Sequence, residues 1–175
     1  AHLVQQSKVD IVVGAYSSAE TIPMAASLER LKVPLIAPGA TSDKVTESGF
    51  SYVVRIPPKG SQSGASILDF LSSGKLEKAG YPKPRPVAMI YEDGAFWSTI
   101  ADNFKKGAPA KNLKIVADIP FTTGTPSLSA KLSKLASGNP DVIVFGGYSG
   151  DGILFTRALA NSSLANVPLV DGGGA

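Results

Sequence analysis

The sequence predicts an α/β fold in which parallel sheets are flanked by helices. Three observations lead there. Six short apolar runs, at residues 9–14, 33–38, 87–92, 113–118, 141–146 and 167–171, each end at Gly, Pro or an acid. They show little polar alternation, which marks strands covered on both faces, as in a parallel sheet. Apolar residues at helical spacing follow most of the runs, giving a repeated strand–helix unit with right-handed crossovers. Finally, 43% of the 175 residues are hydrophobic and 18% are charged, so the chain can bury a core.

Residues 1–7 read as the tail of a helix already under way. After the first run, Ser17-Ser18-Ala19-Glu20 has the form of a capping box. Pro23 predicts that the helix starts slightly later, since proline suits a first turn. This helix runs to about Leu31, with Ala25, Ala26 and Leu28 inward. The second run ends in the polar turn Pro38-Gly39-Ala40-Thr41, before a short helix near residues 43–47. Residues 52–56 read as a further strand, stopped by Pro57-Pro58. Ala65, Ile67, Leu68 and Leu71 define a helix over residues 61–71, and the Gly-, Lys- and Pro-rich residues 72–86 read as a surface loop.

In the second half, strand 87–91 leads through residues 94–98 into a helix reaching about Lys106. Strand 113–118 follows. Thr125 and Pro126 suit the N-cap and first position of a helix carrying Leu128, Leu132 and Leu135. Gly138 and Pro140 end it. Strand 142–145 enters Gly146-Gly147-Tyr148-Ser149-Gly150, and a helix from about Asp151 to Ala160 leads to the last strand at Leu169. Pro57-Pro58 leave two strand–helix units before them and four after. Two units bury a poor core by themselves. Either all strands share one sheet, or the first part belongs to a lobe completed elsewhere.

Several chemistries are excluded. The chain has no cysteine, so disulfides, thiolate nucleophiles and cysteine metal sites are out. His2 is the single histidine, which rules out a multi-histidine zinc site. Gly147-Tyr148-Ser149-Gly150-Asp151 approaches a nucleophile elbow, but no histidine follows the serine. No apolar stretch approaches the ~20 residues of a membrane span. The net charge of +3 is spread over scattered lysines, a solvated surface rather than a nucleic-acid footprint.

Ligands of open α/β sheets bind beyond the carboxyl ends of the strands. Ser17-Ser18 and Thr41-Ser42 both follow strands and offer hydroxyls beside free backbone N–H groups. That chemistry suits a carboxylate, and equally suits helix capping. Glu92 and Asp93 could face a cleft, hold a metal or cap the next helix. Phe96, Trp97 and Tyr148 fall in post-strand loops, where aromatics can line a pocket or pack locally. Gly147, Gly150 and Gly152, with Asp171 beyond, approach a dinucleotide pattern in the wrong glycine order.

The stretches at residues 12–18, 33–41 and 52–55 resemble the periplasmic leucine/isoleucine/valine-binding proteins, type I solute-binding proteins of ABC transporters. The likeness continues in order through residues 88–93, 132–135, 140–143 and 145–148. It implies two Rossmann-like lobes joined by a hinge, with residues 1–57 part of the first and 58–175 most of the second. It also implies a chain about twice this length and a small-molecule ligand held between the lobes. Closure would be read by a membrane permease, in the periplasm or outside the cell, with no catalysis, cofactor or metal. The family's carboxylate-binding serine falls on Ser18, its backbone contact on Gly39 and its threonine on Thr41. The aromatic of the second lobe falls on Phe96 and the Gly-Gly-Tyr tyrosine on Tyr148. Two positions depart: Gly173 stands where amino-acid binders carry an acid, and Trp97 replaces a small residue. The expected site is therefore Ser18, Gly39, Thr41, Phe96, Trp97 and Tyr148, holding an amino-acid-like or carboxylate-bearing ligand, aromatic acids included. The alternatives are a doubly wound enzyme with a nucleotide cofactor at residues 147–152, and the ligand-binding ectodomain of a sensor.

Overall fold

A computed structural model describes residues 2–173. The strands divide between two parallel sheets, which settles the choice between one sheet and two. β1 (Val12–Val13), β2 (Leu35–Ala37) and β3 (Val53–Arg55) form the first, in that order. β4 (Pro86–Glu92), β5 (Lys114–Phe121), β6 (Val142–Gly146) and β7 (Leu169–Asp171) form the second, in the order β5-β4-β6-β7. The helices are α1 (His2–Gln5), α2 (Ser18–Leu31), α3 (Lys44–Glu47), α4 (Gly60–Ser72), α5 (Lys75–Lys78), α6 (Ala95–Gly107), α7 (Ser129–Ser137) and α8 (Ser149–Ala160). Among the described residues no helix is long and apolar enough to cross a membrane.

The second sheet has a helical layer on each face. Along β4, Val87, Met89 and Tyr91 meet Ile67, Leu71, Ile100 and Phe104 of α4 and α6. The alternate residues Ala88 and Ile90 meet Leu132, Leu135 and Phe155 of α7 and α8. A strand's period of two sends neighbours to opposite faces, and both faces are covered, so β4 and β6 tolerate no polar residue in their interior. Pro120 sits in β5, at the sheet edge, where a missing N–H breaks no ladder.

The first sheet departs from the expected burial on both faces. Ala25 and Leu28 of α2 cover one face with Val33 and Leu35. Val13 and Val54, on the other, are 66% and 62% exposed. Among the described residues helices pack on one face only.

Three local expectations also change. α2 begins at Ser18 despite Pro23, because the Ser17 hydroxyl caps the Glu20 N–H at 3.3 Å. The carbonyl Pro23 leaves unpaired belongs to exposed Ala19, where water can serve it. Residues 72–86 include the short helix α5 rather than loop alone. Thr125-Pro126 start no helix: the Thr125 N–H closes a turn onto the Thr122 carbonyl. α7 begins later, at Ser129, whose N–H is taken by the Ser127 hydroxyl.

α4 and α6 approach closely through Gly60 and Gly64. A Cβ on Gly64 would lie 2.8 Å from the Ile100 carbonyl oxygen, which is backbone and cannot move aside. Gly150, in α8, faces open space. Gly64→Ala in the intact protein should therefore cost about 1–3 kcal/mol through overpacking. Gly150→Ala should be neutral or gain up to about 1 kcal/mol from helix propensity. Urea unfolding of the two variants checks the contrast, and equal midpoints would contradict it.

Candidate functional site

Parallel strands deliver their following loops to one end of each sheet, and here the two ends meet. Tyr16, Ser17, Ser18 and Gly39 come from the loops after β1 and β2; Phe96 and Tyr148 follow β4 and β6. Together they enclose a cavity of about 20 Å³, room for about one water. Tyr148 occupies the middle. Its ring lies 6.5 Å from Tyr16 and 5.6 Å from Phe96, centroid to centroid. Aromatic rings from both sheets thus fill the space between them.

Gly39 is required for this closeness. A Cβ there would come within 2.8 Å of the Tyr16 ring and 3.0 Å of its backbone oxygen. Ser17 caps α2, and Ser17 and Ser18 at the start of that helix both line the cavity. Ser18 is buried, and its hydroxyl oxygen accepts from the Ser42 N–H at 3.1 Å. Its own hydrogen remains available to donate. The Arg55 guanidinium donates to the carbonyls of Thr41 (3.2 Å) and Ser42 (3.0 Å), fixing that loop. Thr41 does not line the cavity, and its hydroxyl oxygen is buried with no hydrogen-bond partner. An unpaired buried polar group costs about 1–3 kcal/mol.

The acids at the second sheet are used locally. Glu92 Oε1 accepts from the Gly94 N–H at 2.8 Å, while Oε2 is buried without a partner. Burial pushes the Glu92 carboxyl above its ordinary range, and nearby Asp93 and Asp151 add to this against the Gly94 bond. Asp93 accepts from the Thr122 hydroxyl at 3.0 Å. Among the described residues no three His, Cys, Asp or Glu side chains cluster to hold a metal ion. Burial, then the negative charge of Glu92, Glu20 and Asp151, raises the Tyr148 phenol, so it stays protonated and able to donate. At the start of α8, Asp151 accepts from the N–H groups of Gly124 (3.2 Å) and Tyr148 (3.4 Å).

Of the six residues expected from sequence, Ser18, Gly39, Phe96 and Tyr148 line the cavity, and Thr41 does not. Trp97 does not line it. Phe96 and Trp97 lie in the first turn of α6 rather than in a loop, so successive side chains diverge, and Trp97 turns fully into the core. Tyr16 lines the cleft without having been singled out, although an aromatic after a strand is the same signal that marks Tyr148.

Two parallel sheets thus bring polar loops and aromatic rings to one shared cleft. The periplasmic binding protein family model matches residues 1–175, and the chain belongs to that family. It is 27% identical over 173 residues to Leu/Ile/Val-binding protein homolog 8 of Brucella abortus, covering 98% of this chain and 43% of that protein. The leucine-specific-binding protein of Salmonella typhimurium is 26% identical over 162 residues, 92% of this chain and 42% of the relative. The chain thus spans less than half the length of these relatives. Among solved structures, the branched-chain amino acid transporter substrate binding protein LivJ of Streptococcus pneumoniae, in complex with isoleucine, superposes with a TM-score of 0.83 at 30% identity, over 99% of this chain and 47% of that one. A solute binding protein of an R. palustris ABC transporter, in complex with 4-hydroxybenzoate, shares the fold with a TM-score of 0.83 at 20% identity, over 97% and 45%.

A raised carboxyl pKa means that the folded state holds the Glu92 proton more tightly than the unfolded chain. Stability is then lost as pH climbs from the ordinary carboxylate range through the raised folded value. Glu92→Gln keeps the acceptor for Gly94 and cannot ionise. Its melting temperature relative to the natural protein should be more favourable at about pH 7.5 than at about pH 4, where both side chains are neutral. A difference that stays constant across pH would contradict this.

Proposed function

We propose that the intact protein is the extracytoplasmic solute-binding component of an ABC transporter, taking a small carboxylate-bearing ligand in the cleft between the sheets. The convergence of Tyr16, Ser18 and Gly39 from one sheet with Phe96 and Tyr148 from the other is the observation that carries this reading. The Ser18 hydroxyl, at the start of α2, and the neutral Tyr148 phenol are donors in the lining, and an opened cleft would add the unpaired Thr41 hydroxyl. Donors that gain strength against an anion suit a carboxylate. The three rings suit an apolar or aromatic remainder. Gly173 offers no acid to an α-ammonium, which favours aromatic acids over amino acids. The bound ligands of the S. pneumoniae and R. palustris relatives, isoleucine and 4-hydroxybenzoate, bracket the range.

A cavity of about 20 Å³ is far smaller than such a ligand. Binding therefore requires the rings to part and close again over the solute. The ligand shifts a population between open and closed forms, and a membrane permease would read the closed one.

Calorimetry on the intact protein with benzoate, 4-hydroxybenzoate, leucine and isoleucine tests the reading. At least one should bind, and a Thr41→Ala, Tyr148→Ala double variant should weaken it by at least about tenfold, as expected for two lost hydrogen bonds. Undiminished binding by the double variant would sink the site assignment. No binding by any of the four would count against the receptor reading.

A further inference from the structure

Trp97 is the only tryptophan in the chain and is wholly buried, yet it directly follows Phe96 at the cleft. Its indole lies across two glycines. A Cβ on Gly146 would come within 1.9 Å of the ring, and one on Gly172 within 2.2 Å. Phe145 pairs with Asp171 in the β6–β7 ladder, so Gly146 and Gly172 are the next pair along, where both strands end. Two neighbouring strands thus omit their side chains at the one place where a large ring is inserted; glycine at a strand end marks such an approach. The indole N–H donates to the Gly173 carbonyl at 3.1 Å. The ring also meets Phe96 edge-on at 6.0 Å, and Phe96 meets Tyr148 at 5.6 Å. One side chain therefore touches both the segment after β7 and the aromatic layer of the cleft.

We infer that Trp97 is a positioning residue for the cleft described under the proposed function, and that the inference rests on that reading. It holds residues 171–173 at the end of β7, backs the Phe96 ring, and closes the space beneath it. The depth of the cleft then ends at the Phe96–Tyr148 layer. A ligand longer than a single ring meets the indole. Because the amides of Gly172 and Gly173 are themselves bonded, to the Phe145 carbonyl at 3.0 Å and Asp171 Oδ1 at 2.9 Å, their protection reports whether the segment is held.

Two variants of the intact protein separate this role from plain core packing. Trp97→Phe keeps an aromatic ring and removes the N–H donor. Trp97→Leu keeps apolar volume near the backbone and empties the space over Gly146 and Gly172. In ligand-free protein, amide exchange by NMR should be at least about tenfold faster at Gly172 and Gly173 in both variants, with a smaller acceleration across β4 and β6. Unchanged exchange at the two glycines, or equal acceleration throughout β4 and β6, would overturn the inference. The second readout is affinity for benzoate against biphenyl-4-carboxylate. Trp97→Leu should shift the preference toward the longer acid by at least about tenfold relative to the natural protein, and Trp97→Phe by less. An equal loss for both acids would overturn the depth-setting role. If the natural protein binds neither acid, the aromatic-acid reading of the function fails, and the exchange result alone decides whether Trp97 holds the segment.

Discussion

Residues 41–43 bond to both halves of the molecule at once, and the cleft depends on that loop. The Thr41 carbonyl accepts from Arg55 of β3 at 3.2 Å and from the Gly60 N–H of α4 at 2.7 Å. Ser42 takes the Ser18 hydroxyl through its N–H and meets the Thr99 hydroxyl of α6 at 3.2 Å. Asp43 accepts from the Ser61 N–H at 3.1 Å. Ser18 and Arg55 belong to the first sheet and its helices; Gly60, Ser61 and Thr99 belong to elements that cover the second. Each such bond contributes about 1 kcal/mol net. A handful of them amounts to a few kcal/mol, the scale on which a ligand can bias two conformations. The junction sets the cleft rings opposite each other, and under the proposed function it is the part that ligand binding would bias.

The cleft is already filled by the rings of Tyr16, Phe96 and Tyr148. Two polar atoms outside its lining, the Thr41 hydroxyl and one oxygen of Glu92, are buried without partners. Ring contacts between Tyr16, Tyr148 and Phe96 offer modest gains of about 0.5–1.5 kcal/mol each. Under the proposed function, a flat ligand would replace those contacts with its own.

Much of the second sheet was legible because burial on both faces leaves a mark within each strand. Residues 87–91 and 142–145 are apolar at every position, and they form β4 and β6. The first sheet was harder to read. Whether Val13 and Val54 are covered depends on which layers pack against them, and no local pattern records that. Thr125-Pro126 misled because a helix start and a tight turn ask for the same residues, and the Thr122 carbonyl won. Ser18, Gly39, Phe96 and Tyr148 could be found from their places after strands, helped by the family resemblance. Trp97 could not be placed. A tryptophan beside a phenylalanine looks like a pair of pocket aromatics, and only Gly146 and Gly172, far along the chain, reveal which way it turns.

The most direct measurement is a crystal structure of the intact protein with a bound carboxylate ligand. Atoms of one ligand molecule should touch the Ser18–Gly39 side and the Phe96–Tyr148 side together, with Trp97 still seated over its glycines. A ligand held by one sheet alone, or bound away from the ends of the strands, would contradict a single site shared by both sheets.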